Sequence, residues 1–190
     1  MDLRYLLEPG DAPSKREILA TALHLFVKDG LSETSIRAIG DRAGYTNPAL
    51  YKFFPSKEAL ALHLFERCYA HIYERIVERT AGVPFPGSIA AFARAWCALM
   101  EGDLEAVLFV NENLRAFWPR VSRPLRRKSL VRYVAGLVAP GSHDADLSTS
   151  LLLGTCGQLA RRRFFERDTP APDPRALEAL FLHGLAGAAT

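Results

Sequence analysis

The chain has 190 residues, 49% of them hydrophobic and 24% charged, which is enough to bury one large core or two small ones. A formal net charge of +3 permits a nucleic-acid partner without arguing for one. Three scattered cysteines, Cys68, Cys97 and Cys156, form no CxxC pair, so a zinc knuckle or dithiol motif is excluded and buried reduced thiols are expected.

The start carries no basic n-region or long apolar stretch, and no segment approaches the roughly 20 apolar residues that a membrane helix needs. A cytoplasmic chain with no membrane partner, metal or cofactor is expected. Residues 1–13 hold two prolines and a glycine and read as a loose arm. Ser14 then opens a helix, with Glu17 at capping-box spacing. Ile18, Ala22, Leu25 and Phe26 form its apolar face, and Gly30 ends it. A second, short helix starts at Thr34 or Ser35, is marked by Ile36, Ile39, Gly40 and Ala43, and stops at Gly44. Thr46 caps a third, with Pro48 in its first turn and Leu50 and Phe53 facing inward. After Pro55, Ser56 caps a long fourth helix whose buried stripe is Leu60, Leu64, Cys68, Ile72 and Ile76.

Ala81–Gly87, with two prolines and two glycines, is the clearest internal break. Beyond it the pattern predicts helices near 88–101, 103–117, 121–138, 145–167 and 174–188, separated by Pro119, Pro140-Gly141 and Pro170-Ala171-Pro172. Period-2 alternation is not sustained anywhere, so the class is all-α. The expected organisation is an arm (1–13), a three-helix helix-turn-helix domain (14–60) and a further helical domain (61–190).

The informative window is Thr34–Leu60. Two short helices flank a tight turn at Gly44, and the second, about Thr46–Phe53, is too short to persist unless packed. Such a helix presents its outer face as a probe that fits the major groove. Thr46, Asn47, Ala49 and Lys52 project from that face. Asn pairs with adenine, Lys reaches guanine or phosphate, and the Thr and Ala methyls suit thymine. Tyr51 and Lys57 flank it where phosphates would lie. Thr34 and Ser35 offer a hydroxyl and a helix start to a second phosphate, and Arg37 and Arg42 add positive charge.

Thr34-Ser35, Ile39-Gly40, Ala43-Gly44, Thr46, Pro48, Leu50-Tyr51, Phe54-Pro55-Ser56-Lys57 and Leu60 together resemble the signature of the tetracycline-repressor (TetR) family of bacterial transcription regulators. Three positions depart from that pattern: Gly40 stands for the usual alanine, Tyr45 for a small aliphatic residue and Phe53 for a frequent histidine. The resemblance covers about residues 14–60. It implies phosphate contacts from Ser35, Tyr51 and Lys57, and base or adjacent backbone contacts from Arg37, Thr46, Asn47, Pro48, Ala49 and Lys52. It also implies that the 14–60 domain binds DNA and that the helical domain over 61–190, from about residue 80 onward, is a ligand-binding and dimerisation domain.

The last two helices carry more apolar residues than one buried stripe needs: Leu147, Leu151, Leu152, Leu153, Leu159 and Phe164, then Leu177, Leu180, Phe181 and Leu185. Gly154, Gly157, Gly184 and Gly187 allow close helix approach. Both features suit a homodimer interface through these helices. Phe92, Trp96, Phe109, Phe117 and Trp118, with Asn113 or Gln158 as anchors, are candidates for an apolar effector pocket or for plain core. Residues 115–132 hold seven Lys/Arg and no acid, and Arg161-Arg162-Arg163 forms a further cluster. These read as a solvated charged face, with an anionic effector or DNA phosphate as alternatives.

The reading that follows is a regulator, a repressor released from a palindromic double-stranded operator by a small molecule of unknown identity. An architectural or partner-binding protein of the same fold without an effector is the alternative. The five histidines form no HExxH, and no serine elbow or phosphate loop occurs, so an all-α enzyme is not supported.

Overall fold

The computed structural model describes residues 3–138, 145–166 and 169–186. Among these the regular structure is all helical: α1 (Pro13–Lys28), α2 (Ile36–Ala43), α3 (Asn47–Phe53), α4 (Lys57–Thr80), α5 (Gly87–Gly102), α6 (Leu104–Phe117), α7 (Arg123–Arg126), α8 (Leu130–Val138), α9 (Ala145–Phe165) and α10 (Pro174–Ala186). Short 3₁₀ turns occur at Leu3–Leu6 and Trp118–Arg120. No described helix is long and apolar enough to cross a membrane. The expected break at Pro140-Gly141 lies outside the described residues, as does Gly187.

The predicted all-α class and the helix-turn-helix followed by a helical region both hold. One element differs, because the helix expected over 121–138 is two helices, α7 and α8, interrupted at residues 127–129. Ser129 restarts the chain by accepting the Arg132 N–H at 3.4 Å. The apolar spacing runs on through this interruption and conceals it.

Two compact units form. The first comprises the residues up to His71 together with Glu105–Arg126, and the second Ile72–Leu104 with those from Arg127 on. This division differs from the boundary near residue 60 that the sequence suggests, because α6 packs with the N-terminal helices. Phe109 stacks on Phe26 at 5.8 Å and Phe117 packs on Phe65 at 5.4 Å. The His24 ring meets the Glu105 carboxylate at 2.7 Å. Ile18, Leu19, Leu23, Ile39, Leu50, Leu60, Leu64 and Phe65 complete this core, each essentially inaccessible to solvent.

The predicted stripe of α4 is buried at all five positions. In the second unit α5 packs with α10 and α8, and α8 with α9. Phe92, Met100, Val134, Leu152, Cys156 and Leu177 form that core. The Ser88 hydroxyl donates to the Leu137 carbonyl at 2.8 Å, and the Thr80 and Tyr133 hydroxyls share a hydrogen bond of 2.9 Å.

Two expectations at the N-terminus are corrected. Ser14 does not cap α1. The helix begins at Pro13 with Ala12 in the capping position and no side-chain cap. Proline lacks the N–H that a cap would satisfy and arrives with helical φ, so it starts the helix unaided. Nor is the arm loose. Leu6 is fully buried, and Tyr5 stacks on His71 at 3.9 Å. Arg67 donates to the Tyr5 and Leu7 carbonyls, both at 2.7 Å.

Beneath the arm, His63 buries an Nε2 with no hydrogen-bond partner among the described residues, beside the Phe54 ring at 5.3 Å. Burial, and then the nearby Lys15 ammonium, hold its pKa below the ordinary histidine value. The unfolded chain therefore takes up this proton more readily than the folded one. The stability associated with neutral His63 is complete above about pH 6.5 and is lost as the pH falls below it. His63→Gln should flatten thermal stability against pH between about 7 and 5. An acid limb identical to the parent's would refute this.

Candidate nucleic-acid interface

The interface is built from α2, the turn after it and α3. Ser35 caps α2, its Oγ accepting the Ala38 N–H at 3.1 Å. This leaves the hydroxyl hydrogen free to donate outward, as a phosphate contact requires. Gly44 ends α2 in the left-handed region, with φ 76° and ψ 26°, a conformation open to glycine at little cost. The Tyr45 N–H then returns to the Gly40 carbonyl at 2.9 Å. The Tyr45 hydroxyl donates to Glu17 of α1 at 2.9 Å. That carboxylate raises the phenol's pKa above its usual value. Tyr45 thus pins the turn to α1, a role that a small aliphatic residue could not perform.

The turn passes very close to α2. A Cβ on Gly40 would stand 2.7 Å from the Tyr45 carbonyl oxygen and 3.4 Å from Asn47 Oδ1. The glycine at position 40 is therefore what lets α3 approach α2 at this distance.

Helix α3 follows with Pro48 in its first turn. Thr46 holds the N-cap position, but its side chain makes no capping bond. Leu50 is buried, while Thr46, Asn47, Pro48, Tyr51 and Lys52 are exposed and Ala49 is half-buried. The inward pair differs from expectation: Phe53 is 37% exposed, and its neighbour Phe54 is buried. Helix α3 ends at Phe53, and Phe54 adopts extended backbone (φ −137°, ψ 118°), which turns its ring inward against His63. Arg37 and Arg42 are exposed on α2, and Arg37 lies 3.7 Å from Asp41. That pair is open to solvent, so it competes weakly with any phosphate.

Two expected phosphate ligands are engaged within the protein. Thr34 is 4% exposed, and its hydroxyl points inward to the carbonyls of Gly30 (2.8 Å) and Leu25 (3.3 Å). Lys57 is half-buried, with Nζ donating to the carbonyls of Leu31 (2.8 Å), Thr34 (2.9 Å) and Ser32 (3.2 Å). An ammonium has three donors and all are engaged. These residues fasten the loop between α1 and α2 to the start of α4. That start is itself capped by Ser56, which accepts the Ala59 N–H at 3.1 Å.

The candidate effector residues are divided between the two units. Phe109, Asn113 and Phe117 lie in the first unit, and the Asn113 amide donates to the Phe109 carbonyl of its own helix at 2.9 Å. Phe92 and Trp96 lie in the second unit, stacked at 6.1 Å, and Gln158 is exposed on α9. Trp96 stands out because its buried Nε1 has no acceptor among the described residues. Residue type alone gives no sign of that unmet donor. In the last two helices Leu147, Leu151 and Leu180 are more than half exposed, whereas Leu152, Leu177 and Phe181 belong to the unit's own core. Phe165, 64% exposed, joins the exposed set although the spacing does not single it out.

Residues 18–64 match the model of the bacterial regulatory proteins of the tetR family. Over 98 residues the chain is 32% identical to an uncharacterised HTH-type transcriptional regulator, YuxN, of Bacillus subtilis, covering 52% of this chain and 33% of that one. Over 154 residues it is 27% identical to the HTH-type transcriptional repressor KstR2 of Mycolicibacterium smegmatis, covering 76% of this chain and 75% of the repressor. The match thus spans a third of one relative and three quarters of the other. The fold is similar to that of a TetR-like transcriptional regulator from Rhodococcus sp. RHA1, with a TM-score of 0.78 at 22% identity over 93% of this chain and 98% of that one.

Proposed function

Since this chain belongs to the TetR family of bacterial transcription regulators and is a DNA-binding regulator, not an enzyme, we propose that it is a ligand-released repressor that binds a palindromic operator as a homodimer. The observation that carries this reading is the exposed face of α3, with Thr46, Asn47, Pro48, Tyr51 and Lys52 turned to solvent on a helix clamped through Leu50, Tyr45 and Phe54. In this reading Asn47 and Lys52 meet base edges, Thr46, Pro48 and Ala49 meet thymine methyls or adjacent backbone, and Ser35, Arg37 and Tyr51 hold phosphates.

A two-turn helix reads few bases, so specificity calls for a second copy. The exposed Leu147, Leu151, Phe165 and Leu180, together with the open space beside Gly154, support pairing through α9 and α10. The unpartnered Trp96 N–H supports a small-molecule effector bearing an acceptor in the second unit.

Selection of bound duplexes from random DNA by the full chain tests the reading. Enrichment of an inverted repeat with half-sites about 10–10.5 bp apart, or a multiple of that, is expected. Recovery of an unrepeated motif, or of none, would refute it. On the enriched duplex Asn47→Ala should relax preference at one base pair by about 1–3 kcal/mol. A uniform loss across sequences would contradict its base-reading role.

A further inference from the structure

We propose that the arginine-bearing turn that follows α6 is a second contact to the DNA backbone, carried on the same unit as the recognition helix. The proposal rests on the DNA-binding reading above and adds to it a surface outside the helix-turn-helix.

Four of the seven basic residues between 115 and 132, namely Arg115, Arg120, Arg123 and Arg126, fall in the first unit, and all four are exposed. Arg115 lies in the last turn of α6, and the turn that bears the other three is fixed to α4. Trp118 packs on Tyr69 at 4.8 Å, the Ser122 N–H donates to Glu66 at 2.5 Å, and Val121 and Leu125 are buried. Arg126 ties the turn internally by donating to the carbonyls of Pro119 (2.6 Å) and Val121 (3.3 Å). The Arg120 guanidinium stands 5.8 Å from the centre of the Phe117 ring, which itself packs on Phe65. Arg120 and Arg126 are therefore held by packing and backbone bonds. Neither Arg120 nor Arg123 forms a salt bridge among the described residues.

The position of the turn fits the proposal. Glu66 lies two turns along α4 from Glu58, about 12 Å at the helical rise. Glu58 sits in the first turn of α4, a few residues after α3. Its carboxyl is held below the usual range by its own backbone N–H and by Ser56, and then by the charges of Lys57 and Arg120. Arg120 is thus within electrostatic reach of the first turn of α4.

Like charges gathered on one exposed turn repel one another and suit an anionic partner. Guanidinium groups suit phosphate in particular, because they donate in a fixed fork. A small anion is met by cations that converge on one pocket. Here they are spread along an exposed turn, which matches a polymer bearing a phosphate charge every ~1.7 Å of its axis.

The test compares the full chain with Arg120→Gln/Arg123→Gln on the duplex enriched by the parent, measuring affinity from about 50 to 200 mM salt. The plot of log K against log salt should become shallower by about 0.9 for each phosphate no longer neutralised, roughly 1.8 for the pair, with base preference unchanged. Arg120→Lys/Arg123→Lys, which keeps the charge, should retain the parent slope. If the glutamine pair melts early, Arg115→Gln/Arg123→Gln leaves Arg120 on Phe117 and gives the same readout.

An unchanged slope in the glutamine variants overturns the inference. If that result is accompanied by lost thermal stabilisation by inorganic pyrophosphate, the patch belongs to a small anion. Relaxed base preference in Asn47→Ala, measured alongside, shows that the DNA-binding reading survives such a failure. A parent that binds no duplex overturns both.

Discussion

Gly40→Ala should lower the melting temperature and weaken operator binding, although the same change in an ordinary helix does the opposite. Alanine in a helix interior is favoured over glycine by about 1 kcal/mol. Here the added Cβ would meet the Tyr45 carbonyl oxygen at 2.7 Å, a backbone atom that cannot swing aside. Overpacking of this kind costs about 1–3 kcal/mol, which outweighs the propensity gain. At about 2–4 °C per kcal/mol for a chain of this size, the loss is measurable in a melt. Binding should suffer as well, because the strain is relieved most directly by moving the turn that positions α3.

Tyr45→Phe cuts the anchor to Glu17 and gives the turn room to retreat. The cost of Gly40→Ala should then be smaller in that background, a coupling of about 0.5–3 kcal/mol. A higher melting temperature in Gly40→Ala, or strict additivity of the two changes, would refute the account. Gly40 and Tyr45 are two of the three departures from the family pattern, and they meet one another in the structure.

That meeting also marks the limit of what local spacing reveals. The helices, their stripes and the exposed face of α3 follow from such spacing, which is why Leu60, Leu64, Cys68, Ile72 and Ile76 are legible directly. Side chains whose role depends on distant chain segments are not legible in that way. Thr34 has the right chemistry for a phosphate, and only the fold shows its hydroxyl turned to Leu25 and Gly30. Phe53 and Phe54 are adjacent aromatics, and which one enters the core depends on where α3 stops. The assignment of α6 to the N-terminal unit rests on Phe109 and Phe117 meeting Phe26 and Phe65, pairings between positions far apart in the chain.

Lys57→Met should destabilise the helix-turn-helix without changing the number of ions released on DNA binding. The family resemblance makes Lys57 a phosphate ligand, and such a ligand contributes about 0.9 to the salt slope. The structure instead commits its ammonium to the carbonyls of Leu31, Ser32 and Thr34. Methionine keeps the length of the stem and removes all three donors. Water can reach the exposed Ser32 carbonyl, whereas those of Leu31 and Thr34 are part-buried and lose their partner. Hydrogen bonds to a charged group contribute about 1.5–3 kcal/mol, so the melting temperature should fall by several degrees. The loop they secure leads into Ser35, whose hydroxyl is offered to a phosphate, so affinity should weaken evenly across sequences through loss of order. Below the melting transition the salt slope should match the parent's. A slope reduced by a full ion with stability unchanged would return Lys57 to the phosphate backbone and leave the three carbonyl bonds without a functional role.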